Sequence, residues 1–286
     1  MKSRPEILIE ARELAYRYPG EENISSPAVY GVNLSVKRGE YVSLIGPNGS
    51  GKTTLLKLFN ALLAPTEGEV LVEGISTTEE EKQVEIRRSC GMIFQNPDNQ
   101  LVATTVEEDI AFGLENLELP SSEIRKRVEK VSSALGLKHL LKHPPHMLSG
   151  GEKGRVAIAG ILAMQPSCIL MDEPTAMLDS KSRQDVLGAV RHLNREQGLA
   201  VVHVTHFPEE AARADRVVII DQGRLIEQGP PSVIMNKLQL LHQLGLQGTA
   251  PSELAALLRK DGFSIPEEIL NCQELVQSLC TSELKI

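Results

Sequence analysis

Nine residues, GPNGSGKTT at positions 46 to 54, constrain this chain more than any other stretch. They follow the β-branched run YVSLI and precede the helical LLKLFNALL. That is the strand–loop–helix setting in which the pattern G-x-x-x-x-G-K-[ST] binds phosphate. Asn48, Gly49, Ser50 and Gly51 let the backbone wrap tightly, so its N–H groups point at phosphate oxygens. The wrap opens a helix whose dipole favours anions. Lys52 can reach the β and γ phosphates of a nucleotide, the Thr53 hydroxyl can ligate Mg²⁺, and Thr54 follows.

A phosphate loop of this kind needs a carboxylate element, and CILMDEP, residues 168 to 174, provides one. An apolar strand ending in Asp172 places that carboxylate at the C-terminal edge of a sheet, where it can hold Mg²⁺. Glu173, next along, is positioned as the base for an attacking water. VHVTH repeats the logic, delivering His206 to the same edge, where an imidazole can touch a γ-phosphate or serve a structural role. Gln95, just past an apolar strand in MIFQNPDNQ, has three readings: it orients the water, senses Mg²⁺, or caps a loop.

The rest of the chain frames these motifs. ILIEARELAYRY, VNLSVKRGEYVSLIG and GEVLVEG read as strands, and CILMD, AVVHVTH and RVVIID as later ones interleaved with helices. Strands alternating with helices imply an α/β fold with a mainly parallel sheet covered on both faces. DQGR, residues 221 to 224, predicts a hairpin turn. After Pro120, Ser121 or Ser122 is expected to cap a helix carrying Ile124, Val128, Val131 and Leu135 on one face. A Leu-rich helical segment begins past GPP at 229 to 231, where a boundary is placed.

No apolar run approaches the roughly eighteen residues a membrane span needs, and the opening MKSRPEILIE lacks a signal-peptide core. Any membrane association is therefore expected to be indirect. The formal charge of −8 argues against a general nucleic-acid surface. Four cysteines without metal-ligand spacing read as buried or free thiols.

One motif stands apart: MLSGGEKGR, residues 147 to 155, is half a phosphate site, a Ser-Gly-Gly turn opening a helix without the Lys-Ser/Thr of a complete loop. Taken in order, GPNGSGKTT, FQNP, LSGGE, ILMDEPTAMLD and VTH resemble the ATP-hydrolysing subunit of ABC transporters, over residues 1 to about 230. The resemblance implies a P-loop NTPase fold with a mainly parallel sheet core, an N-terminal antiparallel β subdomain, a helical subdomain at roughly 96–167 and a small C-terminal helical extension at 231–286. It implies ATP and Mg²⁺ as ligands. It also explains the half site: two subunits stack head to tail, and Ser149, Gly150 and Gly151 of one close on the ATP held by the other. Asp179 resembles the loop across the dimer seam, and Tyr18 the aromatic that stacks on adenine, with Tyr16 two residues away. Thr54 would assist at the α-phosphate.

Two positions depart from the family pattern. Glu152 stands where Gln is usual; aimed outward it is harmless, otherwise it weakens the shared site. Gly154 stands where a long polar side chain is common.

A finer likeness, carried by residues 94 to 116 and 251 to 280, is to the ATPases of energy-coupling-factor transporters, importers of vitamins or of cobalt and nickel. It implies a second ATPase subunit, homologous or identical, an integral membrane coupling subunit, a substrate-binding membrane subunit, and a place at the cytoplasmic face of the cell membrane. Residues 95 to 100 are expected to line the groove for a coupling helix. In the tail, Ser264 with Glu267 and Asn271 with Glu274 match helix-start capping patterns, and Leu254, Leu257 and Leu258 form an apolar stripe. That stripe packs on its own domain or on a second ATPase. The 95 residues from 53 to 147 hold no sustained heptads, unlike a DNA-maintenance ATPase, and there is no second phosphate loop.

Overall fold

A computed structural model describes residues 6–20 and 27–281. The strands are β1 (Ile7–Tyr16), β2 (Val29–Lys37), β3 (Tyr41–Ile45), β4 (Glu67–Val72), β5 (Ile75–Ser76), β6 (Cys90–Ile93), β7 (Cys168–Asp172), β8 (Ala200–Val204), β9 (Arg216–Asp221) and β10 (Arg224–Gly229). They form two sheets. The smaller is antiparallel, in the order β2-β1-β4-β5. The larger runs β10-β9-β3-β8-β7-β6 and is parallel except for β10, which pairs antiparallel with β9.

Every residue of β3, β7 and β8 is buried, as expected for central strands covered on both faces. Successive side chains divide between two cores because a strand alternates its faces. Val42, Leu44 and Leu170 face the antiparallel sheet and α1 (Lys52–Phe59), packing with Leu55, Leu58 and Phe59. Tyr41, Ile169 and Met171 face α3 (Val106–Glu115), α4 (Ser121–Ala134), α5 (Gly150–Ala163) and α6 (Ser180–Gln197). Between them in the chain, α2 (Gln83–Ser89) leads into β6.

The β9–β10 hairpin falls at the expected DQGR stretch, with Gln222 and Gly223 both at positive φ, the pairing a two-residue primed turn requires. Two capping expectations are corrected. Ser121 is the first helical residue of α4 behind Pro120 and makes no side-chain cap, because proline already fixes the entry φ. Ile124, Val128, Val131 and Leu135 do pack into the core as one face. No helix starts at Ser264: Pro266 biases Ile265 away from helical geometry, and Ile265 is anchored in a small apolar cluster instead.

Past β10 the chain is helical. After α7 (Pro208–Ala211), which precedes β9, come α8 (Pro231–Ile234) and α9 (Leu238–Gln243), whose Ile234 and Leu241 pack on Ile45, Val217 and Ile219. Helices α10 (Ala250–Lys260) and α11 (Cys272–Thr281) share a small core of Ala255, Ile265, Ile269 and Leu275. Asn271 and Glu274 do form the expected reciprocal cap at α11. Leu258 packs against this core, whereas Leu254 and Leu257 remain exposed. All four cysteines are free thiols, Cys90 and Cys168 buried.

The phosphate loop is gripped where β3 meets β9. A Cβ at Gly46 would stand 1.9 Å from the Ile220 carbonyl oxygen, on a strand that cannot retreat, while Gly49 faces open space. Gly46→Ala should cost about 3 kcal/mol or more of stability by urea unfolding, and Gly49→Ala about 1 kcal/mol from its positive φ alone. Equal costs would show that the loop is not held by this contact.

Candidate functional site

The site forms because parallel strands all end on one edge. From that edge β3 projects the phosphate loop, β6 leads to Gln95, β7 ends in Asp172 and Glu173, and β8 leads to His206. Strands β8, β7 and β6 are consecutive neighbours, so three expected catalytic side chains that are distant in sequence meet. Glu173 is the centre. Its Oε1 lies 2.6 Å from His206 Nε2, and its Oε2 accepts from Gln95 Nε2 at 3.1 Å. Its backbone N–H donates to the Val204 carbonyl at 3.1 Å, and its φ is +49°, in the left-handed region. A non-glycine residue held there costs of order 1 kcal/mol or more, a strain found where surroundings over-determine a functional side chain.

One residue earlier, Asp172 accepts from the Thr53 hydroxyl at 3.0 and 2.9 Å, joining the β7 edge to the first turn of α1. Burial pushes the Asp172 carboxyl above its ordinary range, with the Thr53 bond opposing and the Glu173 charge reinforcing that shift. The buried Lys52 ammonium donates to the carbonyls of Gly46 at 2.8 Å and Pro47 at 2.7 Å, and to Ser50 Oγ at 3.3 Å. Burial lowers its pKa, while Glu173 and Asp172 act to raise it. Tyr18 is brought in as well: its hydroxyl lies 3.0 Å from Thr54 Oγ1, and its ring packs edge-on to Tyr16 at 4.9 Å. Asn48 and Gly49 occupy the exposed turn of the loop.

The half site lies elsewhere. Among the described residues no hydrogen bond joins the 149–151 turn to the phosphate loop. Ser149 is the N-cap of α5 in a capping box with Glu152. Glu152 Oε2 accepts from both the backbone N–H and the hydroxyl of Ser149, each at 2.8 Å. The carboxylate is therefore turned back onto Ser149 instead of outward, and these bonds hold its pKa below the usual range. The turn keeps a helix N-terminus but spends its hydroxyl proton on a carboxylate. Gly154 also has a reason: a Cβ there would meet Leu178 Cδ2 at 3.3 Å, so the helix packs closely on the segment leading to Asp179. Asp179 caps α6, accepting from Lys181 N and Ser182 N at 3.0 Å each and from the Ser182 hydroxyl at 2.6 Å. Arg155 donates to the same Ser182 hydroxyl, so a short chain of hydrogen bonds links α5, which begins at the half site, to Asp179.

Sequence reasoning missed a buried set behind the edge: Glu210 on α7, with Thr175 and Thr205. The signal available was small, a Glu four residues past His206. Among the described residues no cluster of His, Cys, Asp or Glu forms a metal cage, and no helix is long and apolar enough to cross a membrane. A groove of about 420 Å³ opens on the flank, lined by Met92, Phe94, Gln100, Leu101, Phe112 and Met164 among others. Of residues 95 to 100, expected to line a groove for a coupling helix, only Gln100 borders this one. Asn96 to Asn99 form a short turn instead, in which Asp98 pairs with Lys153 at 2.6 Å.

Comparison with known proteins identifies the family. A family profile described as ABC transporter matches residues 29–176, and one described as Energy-coupling factor transporter EcfA1 C-terminal domain matches residues 251–285. The energy-coupling factor transporter ATP-binding protein EcfA1 of Caldanaerobacter subterraneus subsp. tengcongensis is 47% identical over 96% of this chain and 99% of its own. Among solved structures, cbiO1 from Clostridium perfringens, part of the ABC transporter complex cbiONQ, superposes with a TM-score of 0.75 at 34% identity, covering 89% of this chain and 100% of that one. The ATP-binding cassette MJ0796, solved as a post-hydrolysis dimer bound to ADP and Pi, gives 0.73 at 34% identity over 78% of this chain and 99% of that one. The chain belongs to the ABC transporter family, among the ATP-hydrolysing, ATP-binding subunits of energy-coupling factor transporters.

Proposed function

We propose that this chain binds and hydrolyses ATP to energise a membrane importer of the energy-coupling-factor type, for a vitamin or for cobalt or nickel ions. The observation that carries the reading is Glu173, one residue past the Asp172–Thr53 link and held between Gln95 and His206. The triphosphate lies along the N–H groups of the loop, and Lys52 leaves its carbonyl partners for the β and γ oxygens. On this reading the Tyr18 ring stacks on adenine, supported by the tie of its hydroxyl to Thr54 in the first turn of α1. Glu173 takes the proton of the attacking water. Gln95 and His206 hold the carboxylate in line, His206 within reach of the γ-phosphate.

Thr53 Oγ1 and Asp172 form an oxygen-only pair, the donor set Mg²⁺ takes when substrate phosphates and water complete its shell. Bound there, directly to Thr53 and directly or through water to Asp172, with Gln95 alongside, the ion would neutralise charge on the β and γ phosphates.

The half site completes the reaction in a pair of chains. Ser149 and the N–H groups of Gly150 and Gly151 close on the γ-phosphate held by a second ATPase, with Asp179 at the seam. Closure requires the Ser149 hydroxyl to exchange Glu152 for phosphate, a competition in which the two anions also repel. Met147 and Met177, exposed beside the half site and Asp179, suit a surface covered in the pair. The C-terminal extension, with Leu254, Leu257 and Val276 exposed, supplies a second contact between ATPases. The apolar groove, with Phe112 51% exposed on its rim, receives a cytoplasmic helix of the membrane coupling subunit, which in turn carries the substrate-binding subunit. Membrane association at the cytoplasmic face is then peripheral, through that partner.

Glu173→Gln should lower turnover by about a hundredfold or more while ATP binding is retained, giving an ATP-trapped pair in size-exclusion chromatography. Turnover within about threefold of the parent, a barrier change under ~0.7 kcal/mol, would overturn the assignment. Mixing Lys52→Ala chains with Ser149→Ala chains should restore one intact composite site, read as recovered ATPase activity; for a heterodimer the two changes are placed in the two partners. Activity from a demonstrated monomer, independent of protein concentration, contradicts the shared site. Phe112→Asp should reduce co-purification with the membrane subunit at least about tenfold, a loss of a buried apolar anchor, with ATP affinity unchanged. Undiminished co-purification would place docking elsewhere.

A further inference from the structure

Behind the hydrolytic edge lies a carboxylate that the proposed chemistry does not use. Glu210 is 4% exposed, on the short helix that follows His206. Its Oε1 accepts from the Thr175 hydroxyl at 2.8 Å and its Oε2 from the Thr205 hydroxyl at 2.5 Å. Thr175 lies two residues past Glu173 and Thr205 one residue before His206. One side chain therefore bridges the two loops that carry the 2.6 Å Glu173–His206 contact. Thr205 Oγ1 also accepts from the Phe207 N–H at 3.0 Å, closing the turn that aims His206.

The bridge extends toward the dimer seam. Arg183 Nε lies 3.6 Å from Glu210 Oε1, its guanidinium sits 3.7 Å over the Phe207 ring, and it donates to the Leu178 carbonyl at 3.4 Å, next to Asp179. Burial pushes the Glu210 carboxyl up, opposed by the Thr205 and Thr175 hydroxyls and by the charges of Arg183 and, farther off, Arg213; among the described residues Arg183 is the one Lys or Arg within ion-pair distance. The fully buried His203, 3.5 Å away, has its pKa pushed down to about 3 by burial and is neutral, with its Nδ1 at 3.0 Å from the Tyr41 hydroxyl.

A buried carboxylate is costly, and a neutral or apolar side chain would fill this space at lower cost in stability. Its geometry accounts for this: a carboxylate accepts from two hydroxyls at once, one on each oxygen, whereas an amide accepts on one oxygen and must turn its NH2 to the other hydroxyl as a donor, reversing that bond and leaving that hydroxyl proton without its acceptor. We propose that Glu210 is a positioning residue for hydrolysis, locking the Glu173 loop to the His206 loop through Thr175 and Thr205. This rests on the assignment of Glu173 and His206 above.

The test is steady-state hydrolysis and nucleotide binding on the assembled ATPase pair. Glu210→Gln should lower kcat about tenfold to a hundredfold, the range expected when a reacting group is displaced by around an ångström. ATP affinity should stay within about twofold, because the phosphate loop does not touch the network. Added to Glu173→Gln, it should lower the residual rate no further, since groups acting as a unit are not additive. Thr205→Ser, which keeps the hydroxyl, should retain activity that Thr205→Val loses; this pair carries the test if Glu210→Gln fails to fold. A Glu210→Gln protein with kcat within twofold of the parent overturns the proposal. So does equal loss of kcat and ATP affinity, or a full multiplicative loss on the Glu173→Gln background. Near-normal turnover of Glu173→Gln alone would instead overturn the underlying functional reading, and the two failures are separable.

Discussion

Parallel strands deliver all their C-terminal ends to one edge, and in this chain four of those ends carry the residues of the candidate site. The order β3-β8-β7-β6 sets Thr53 against Asp172 and Glu173 between Gln95 and His206, although these residues span positions 53 to 206. The apolar side chains of β3, β7 and β8 are buried on both faces, so the edge cannot shift without exposing core. The grip of Ile220 on Gly46 places the phosphate loop relative to the same sheet.

That rigidity carries a cost visible in the charges. Lys52 and Asp172 are both buried, and burial opposes ionisation of each, yet each is satisfied by hydrogen bonds on neighbouring elements. Glu173 adds a backbone at positive φ, and Glu210 a buried carboxylate directly behind. Stability is spent where side chains must be held for a charged substrate, as expected of a site organised before binding. The half site is built to a different standard: Ser149 and Glu152 satisfy each other at an exposed helix end, so on the proposed reading closing on a second chain would exchange one set of bonds for another.

The flanking surfaces divide by chemistry. The groove under Phe112 is mainly apolar and walled by α2, α3, α5 and the end of β6, whereas the face bearing Ser149 and Asp179 is polar with two exposed methionines. On the proposed reading the first meets a membrane subunit and the second another ATPase. The Asp98–Lys153 pair links the loop beside the groove to the helix that begins at Ser149.

Much of this was legible in the chain. A glycine-rich loop needs positive φ and inward N–H groups, so GPNGSGKTT declares its geometry locally, and apolar runs ending in Asp-Glu or Thr-His declare strand ends. Local chemistry says less about direction. Glu152 was readable as aimed outward, but its position three residues after Ser149 closes a capping box and turns it inward. Ser264 and Glu267 carry the same spacing and form no helix, because Pro266 and the burial of Ile265 outweigh the cap. Glu210 drew no reading from sequence, since nothing there places Thr175 beside it; only the pairing of β7 with β8 does. Motifs whose function resides in their own backbone are determined by sequence alone. Side chains whose meaning is their partner are decided by the sheet order, because contacts between distant residues exist only once the strands have paired.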